Sequence, residues 1–297
     1  NVLYYQNQND TFHNFNGNTY LPLISDLSDK LRSSNILINS AIDSKYKNMI
    51  DNIVDDVDEN DRHLIWQIKN TNGKLWWELY FYDNIFPRSE SISLANKYFE
   101  IPEFNQNIKN NFCWSIDINE QYKKNVTLFF PFGATPYESE KRYPGGFSYT
   151  YDGSRYEYRN TYYFWKNTIS NLNHIEQFIK ISPNYSKDID INNLLITEFL
   201  DYYKETKLMM NMPHKGKVEY YGIIQSTKKY CDSIYYSQLN IDMLLIFLKK
   251  FNYPNNQIEF LELNKSKLNH LLFEVDISYG MKNNKHKIIK TGYYGQI

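Results

Sequence analysis

The sequence predicts an α+β fold in which antiparallel β-hairpins alternate with helices. Three observations carry that reading. Short segments with period-two alternation occur in adjacent pairs, turn-forming residues join the pairs, and the stretches between pairs space their apolar residues for a helix. No low-complexity linker interrupts the 297 residues, so one domain spanning 1–297 is expected.

Taken in order, Leu21 to Arg32 and Ser44 to Val57 are helix-spaced, with Ser44 as an N-cap. The period then changes to two. His63 to Lys69 and Leu75 to Tyr82 flank Asn70-Thr71-Asn72-Gly73, which is hairpin turn chemistry. Ser89 to Phe99 returns to a helix, and Asn111 to Asn119 with Asn125 to Phe132 makes a second hairpin. Gly145-Gly146 introduces a third, with strands at Phe147 to Tyr151 and Arg155 to Tyr163 around Asp152-Gly153. Helices at Thr168 to Ile181 and Ile191 to Lys207 precede a fourth hairpin, Lys217 to Gln225 with Ser233 to Leu239. A helix over Ile241 to Phe251 follows, then a strand over Gln257 to Leu263, and a last hairpin, His270 to Tyr279 with Lys287 to Tyr294.

Composition removes several classes of function. Lys plus Arg number 33 against 34 Asp plus Glu, and no basic stripe stands out, so nucleic acid is not an expected partner. Cys113 and Cys231 are the only cysteines, too few for a disulfide scaffold or a thiolate cluster. No apolar run approaches the roughly 20 residues that cross a bilayer, and no signal-peptide pattern stands at Asn1. A cytoplasmic protein without a membrane span is the expectation. His63, His174, His214, His270 and His286 lack metal-ligand spacing, Pro144-Gly145-Gly146 reads as a turn rather than a phosphate loop, and no nucleophile elbow occurs.

Alternate strand residues point to opposite faces. Over Leu75–Tyr82 one face is Leu75, Trp77, Leu79 and Phe81, and the other is Trp76, Glu78, Tyr80 and Tyr82. Phe273, Val275 and Ile277 share a face, and Glu274, Asp276 and Ser278 share the opposite one. Lys290 and Tyr294 share a face with Gly292 between them. The aliphatic faces suit packing under helices. The mixed faces suit solvent or the lumen of a barrel, and large aromatics on several of them favour the lumen.

Three stretches are similar to the small bacterial branch of the αββα-barrel (ABBA) aromatic prenyltransferases. Lys228-Lys229-Tyr230-Cys231-Asp232-Ser233-Ile234-Tyr235-Tyr236-Ser237-Gln238-Leu239 resembles that branch's lysine-rich turn and the strand it enters. Ser115-Ile116-Asp117, Tyr122-Lys123-Lys124 and Phe129-Phe130-Pro131 resemble a second hairpin with paired lysines. Lys290-Thr291-Gly292-Tyr293-Tyr294 resembles the last strand. The resemblance implies a closed or nearly closed ten-stranded αββα barrel with helices outside. It also implies transfer of an isoprenoid group from an allylic diphosphate to a small aromatic acceptor, without metal or other cofactor. Ser233 departs from the Asn common in that branch, His270 stands near an expected arginine, and Tyr80 falls where metal-dependent members carry Asp.

Such chemistry needs donors for the departing diphosphate, aromatic faces to shield the allylic cation, and a carboxylate for the acceptor. Lys124 (or Lys123), Lys229 and Lys290 are the lysine candidates, with Ser233, Tyr235 and His270 assisting. Trp76, Tyr80, Tyr82 and Tyr294 are the aromatic candidates. Asp276 and Glu78 are favoured as catalytic carboxylates over Asp117 and Glu274. The competing class is a non-catalytic binding or structural protein using aromatic strand faces as a contact surface. A third reading is a barrel that holds a hydrophobic ligand without turnover.

Overall fold

The computed structural model describes residues 4–6, 12–14, 48, 51–52, 55–56, 65–82, 93, 96–97, 112–118, 124–130, 142–151, 156–166, 171–206, 208–212, 216–228, 230–269 and 271–296. Its strands are β1 (Tyr4–Gln6), β2 (Phe12–Asn14), β3 (Ile65–Thr71), β4 (Lys74–Tyr82), β5 (Phe112–Ile118), β6 (Lys124–Phe130) and β7 (Arg142–Tyr151). There follow β8 (Tyr156–Lys166), β9 (Met209–Met212), β10 (Gly216–Thr227), β11 (Cys231–Leu239), β12 (Phe273–Lys282) and β13 (Lys285–Gln296). The helices are α1 (Asn171–Ile181), α2 (Thr197–Glu205), α3 (Ile241–Lys250), α4 (Asn255–Leu263) and the single turn α5 (Lys265–Leu268).

β1 and β2 pair with each other. The other strands form one eleven-stranded sheet in the order β11-β12-β13-β3-β4-β5-β6-β7-β8-β10-β9, with a further pairing between β11 and β10. Every pairing is antiparallel. The Ile224–Thr227 half of β10 bonds to β8 on one side and β11 on the other, and its first residues, Gly216–Glu219, carry β9.

Two hairpins show how local chemistry sets the register. Asn72 (φ 55°) and Gly73 (φ 80°) form the turn between β3 and β4, a geometry only Gly, Asn and Asp adopt cheaply, and the Asn70 side chain accepts from Gly73 N at 2.8 Å. Asn283 and Asn284, both left-handed, do the same between β12 and β13. Asn240 caps α3 by accepting from Met243 N at 3.0 Å.

These observations correct the ten-stranded αββα barrel. The sheet has eleven strands, β9 being one the alternation pattern did not reveal. The helices with assigned ranges fall in two groups, 171–205 and 241–268. Gln257 to Leu263, expected as a strand, is α4. Pro254 stands just before its first turn, and Gln257, Ile258 and Leu261 are buried at helical rather than alternating spacing. The stretch expected as one helix from Ile191 is a 3₁₀ turn, Ile191–Asn193, capped by Asp190, and then α2. Leu21 to Arg32 lies outside the described residues. Within 44–57 and 89–99 the described residues 48, 51, 52, 55, 56, 93, 96 and 97 are helical, and Lys97 Nζ meets Asp56 Oδ1 at 2.6 Å.

The described helices α2 to α4 bond one face of the sheet. Tyr236 of β11 packs edge-on against Phe199 of α2 and donates its hydroxyl to the Leu194 carbonyl. Tyr203 of α2 donates to the Ser237 carbonyl at 2.6 Å, and Gln257 of α4 donates to the Tyr293 hydroxyl at 2.5 Å. Thr291 reaches Tyr253, and Asn70 reaches the Phe251 carbonyl. Ile68, Trp77, Val275 and Ile223 are in register with Tyr293 and Tyr236, so this face is an apolar core edged with hydrogen-bonded hydroxyls and amides.

Burial pushes the hydroxyls of Tyr236, Tyr253 and Tyr279 above the ordinary tyrosine range, and the Asp232 carboxylate adds to the rise at Tyr279. In the unfolded chain these groups ionise near pH 10. Folded values raised above that mean stability is complete below about pH 10 and is lost as pH climbs past it. Urea unfolding followed from pH 8 to pH 12 should show this loss, with tyrosinate absorbance appearing together with unfolding. Tyrosinate absorbance rising in full while the fold persists would contradict it.

Candidate functional site

Across β4, β3, β13, β12, β11 and the end of β10, the opposite face of the sheet is rich in polar groups and largely buried. Cross-strand partners share a face, so the register sorts its residues into three rows. Glu78, Gln67, Tyr294 and Glu274 form the first, across β4, β3, β13 and β12. Trp76, Lys69, Gly292, Asp276, Tyr235 and Ile224 form the second. Lys290, Ser278, Ser233 and Ser226 form the third.

The buried charges of Lys69, Glu78 and Asp276 are matched by polar partners. Lys69 and Glu78 are 6% and 1% exposed and form an ion pair. Asp276, fully buried, accepts from Gln67 Nε2 at 2.5 Å and from Ser278 Oγ at 3.3 Å. Ser278 Oγ meets Ser233 Oγ at 2.7 Å, and Lys228 Nζ donates to Ser233 Oγ at 2.9 Å. A continuous string of hydrogen bonds therefore runs from Gln67 through Asp276 and two serines to a lysine. Gly292 makes room for it, because a Cβ there would run into both Gln67 Nε2 and Asp276 Oδ1. The rings of Tyr235 and Tyr294 lie beside these groups with centroids 6.4 Å apart. Among the described residues no cluster of three or more His, Cys, Asp or Glu could hold a metal ion.

The residues singled out from sequence fall as follows. Glu78, Ser233, Tyr235, Asp276 and Tyr294 are buried on this face, while Trp76 and Lys290 are half-buried at its margin. Lys290 also lines a cleft of about 510 Å³ with Asn70, Asn72, Lys250 and Asn252. Tyr80 and Tyr82 are placed in β4, opposite Ser115 and Cys113, and Lys124 opens β6 opposite Ile116. The side chains of those three, and all of Lys229 and His270, lie outside the described residues.

Sequence reasoning placed Ser278 on the polar face without giving it a role, and it missed Gln67, Lys69 and Lys228. The signal for Gln67 and Lys69 was the same alternation used elsewhere, since both flank the buried Ile68. Lys228 was hidden in a Lys-Lys pair from which its neighbour was chosen. Lys228 also borders a cleft of about 410 Å³ with Glu157, Tyr158 and Thr227.

No family model matches the chain, and no curated protein matches it. Among solved structures the chain is similar to the apo crystal structure of prenyltransferase PriB. The TM-score is 0.49 at 7% identity, over 91% of this chain and 96% of that one. This is a weak resemblance of fold. No helix among the described residues is long and apolar enough to cross a membrane.

Proposed function

We propose that the polar face binds an allylic diphosphate beside a small aromatic acceptor and transfers the isoprenoid group between them, without an obligatory metal ion. The observation that carries this reading is the gathering of lysines, hydroxyls, aromatic rings and a buried carboxylate on one strand face, away from the helix-bonded core.

The roles follow from the rows. Breaking the allylic C–O bond leaves its electron pair on diphosphate, whose charge suits Lys228, Lys290 and Ser233 at the third row. Lys229 and His270 are further candidate donors for the same anion. The cation faces Tyr235, Tyr294 and Trp76, with Tyr80 and Tyr82 further along β4, at about 0.5–2 kcal/mol for each ring–cation contact. An acceptor ring carbon forms the new C–C bond, and the proton it sheds passes to Asp276. Glu78, tied to Lys69, fixes the acceptor's polar edge.

Calorimetric titration with dimethylallyl and geranyl diphosphate, with and without magnesium, tests the reading. Binding by the unmodified protein is expected in both conditions. Lys290→Ala should weaken it by about 10–100-fold, the loss of one charge-assisted contact. No binding of either donor would overturn the reading and favour a protein-contact role for the aromatic strand faces.

A further inference from the structure

Lys228 leaves the end of β10, where a turn residue is ordinarily free to wander. Here its main chain is gripped from the helix side. Its N–H donates to Asp232 Oδ1 at 3.2 Å, and its carbonyl accepts from Asn184 Nδ2 at 3.1 Å. The two gripping groups are themselves joined, Asn184 Nδ2 donating to Asp232 Oδ1 at 3.0 Å. Ser182, just past the end of α1, donates to Asp232 Oδ2, and His286 Nδ1 meets the Asn184 carbonyl at 3.2 Å. Asp232 is 1% exposed, so this carboxylate sits in the core with its oxygens committed to the loop after α1 and to Lys228. Residues 231–236 alternate in direction, which puts Asp232 on the helix side and Ser233 on the polar side. Lys228 is thus held at its backbone from one face while its ammonium reaches Ser233 on the other.

We infer that Asp232 and Asn184 are positioning residues. They fix the Lys228 backbone so that its ammonium stands at the Ser233–Ser278 pair, ready for the phosphate oxygens of a diphosphate. The inference rests on the proposed function for the identity of the anion, but the clamp itself does not. Two arms separate them. In the first, surface lysines are modified with a small acylating reagent and the extent at Lys228 is read by mass spectrometry. Asp232→Ala and, separately, Asn184→Ala should raise modification of Lys228 several-fold while other lysines are unchanged. The half-buried Asn184 gives a variant that keeps the fold if Asp232→Ala does not.

In the second arm, inorganic diphosphate is titrated into the protein and its variants. Lys228→Ala and Asn184→Ala should each weaken binding about 10-fold or more, matching the loss of one charge-assisted contact. The double variant should be no weaker than Lys228→Ala alone, because Asn184 acts only through the lysine. Additive losses, or unchanged labelling of Lys228, would overturn the positioning role. Raised labelling in a protein that binds no diphosphate even when unmodified would leave the clamp standing and overturn the anion assigned to it.

Discussion

Replacing Lys69 by Ala should destabilise the fold by about 3–5 kcal/mol, because it leaves the Glu78 carboxylate buried without its counter-ion. Both side chains are almost inaccessible, and Lys69 sits in register with Trp76 and Gly292 among packed strands where water cannot replace the lost charge. Urea unfolding with a constant m-value measures the loss. The companion experiment substitutes both members, Lys69→Met with Glu78→Leu, and should recover most of the stability, since an apolar pair of similar volume no longer carries the desolvation cost. A single substitution costing less than about 1 kcal/mol would show that the pair behaves as a solvent-screened one. A stable double variant that no longer binds donor or acceptor would show that the charges are kept for function rather than for folding.

Strand alternation was legible in the sequence because each hairpin carries its own evidence. Asn72-Gly73 fixes the β3–β4 register, and Phe273, Val275 and Ile277 alternate cleanly against Glu274, Asp276 and Ser278. What alternation cannot give is which strands meet at long range. The pairing of β13 with β3 joins residues more than two hundred positions apart, and no local pattern encodes it. The same limit hid the site's wiring. Asp276 was visible as a polar-face carboxylate, but its partner Gln67 lies on β3, and the need for glycine at 292 appears only when those two strands are brought together.

α4 failed for a different reason. Gln257 to Leu263 alternates apolar and polar residues loosely enough to suit either period, and its helical state follows from Pro254 and from burial against Tyr293. β9 is four residues with three methionines, too short and too weak in strand preference to announce itself. Lys228 was a matter of choosing between neighbours. Two adjacent lysines at a turn look equivalent in sequence, and the grip of Asn184 and Asp232 on one backbone distinguishes them.

In the proposed reaction Asp276→Asn is expected to lower turnover by about 10²–10⁴-fold while leaving donor affinity within a few-fold. The substitution preserves shape, and the amide oxygen can still accept from Gln67, so the strand contacts around Gly292 are kept. What changes is the group facing Ser278. A carboxylate oxygen accepts from that hydroxyl and can take a proton, whereas an amide nitrogen can only donate, so Ser278 would donate to Ser233, which still accepts from the Lys228 ammonium. Loss of the base slows removal of the proton from the acceptor without touching the lysines that hold diphosphate. Product formation from geranyl diphosphate with a panel of phenolic and indolic acceptors, alongside calorimetric donor binding, separates the two effects. Equal loss of binding and turnover would assign Asp276 a structural part in the face. Unchanged turnover would move the base to the first row, to Glu274 or Glu78, which Glu274→Gln and Glu78→Gln would then distinguish.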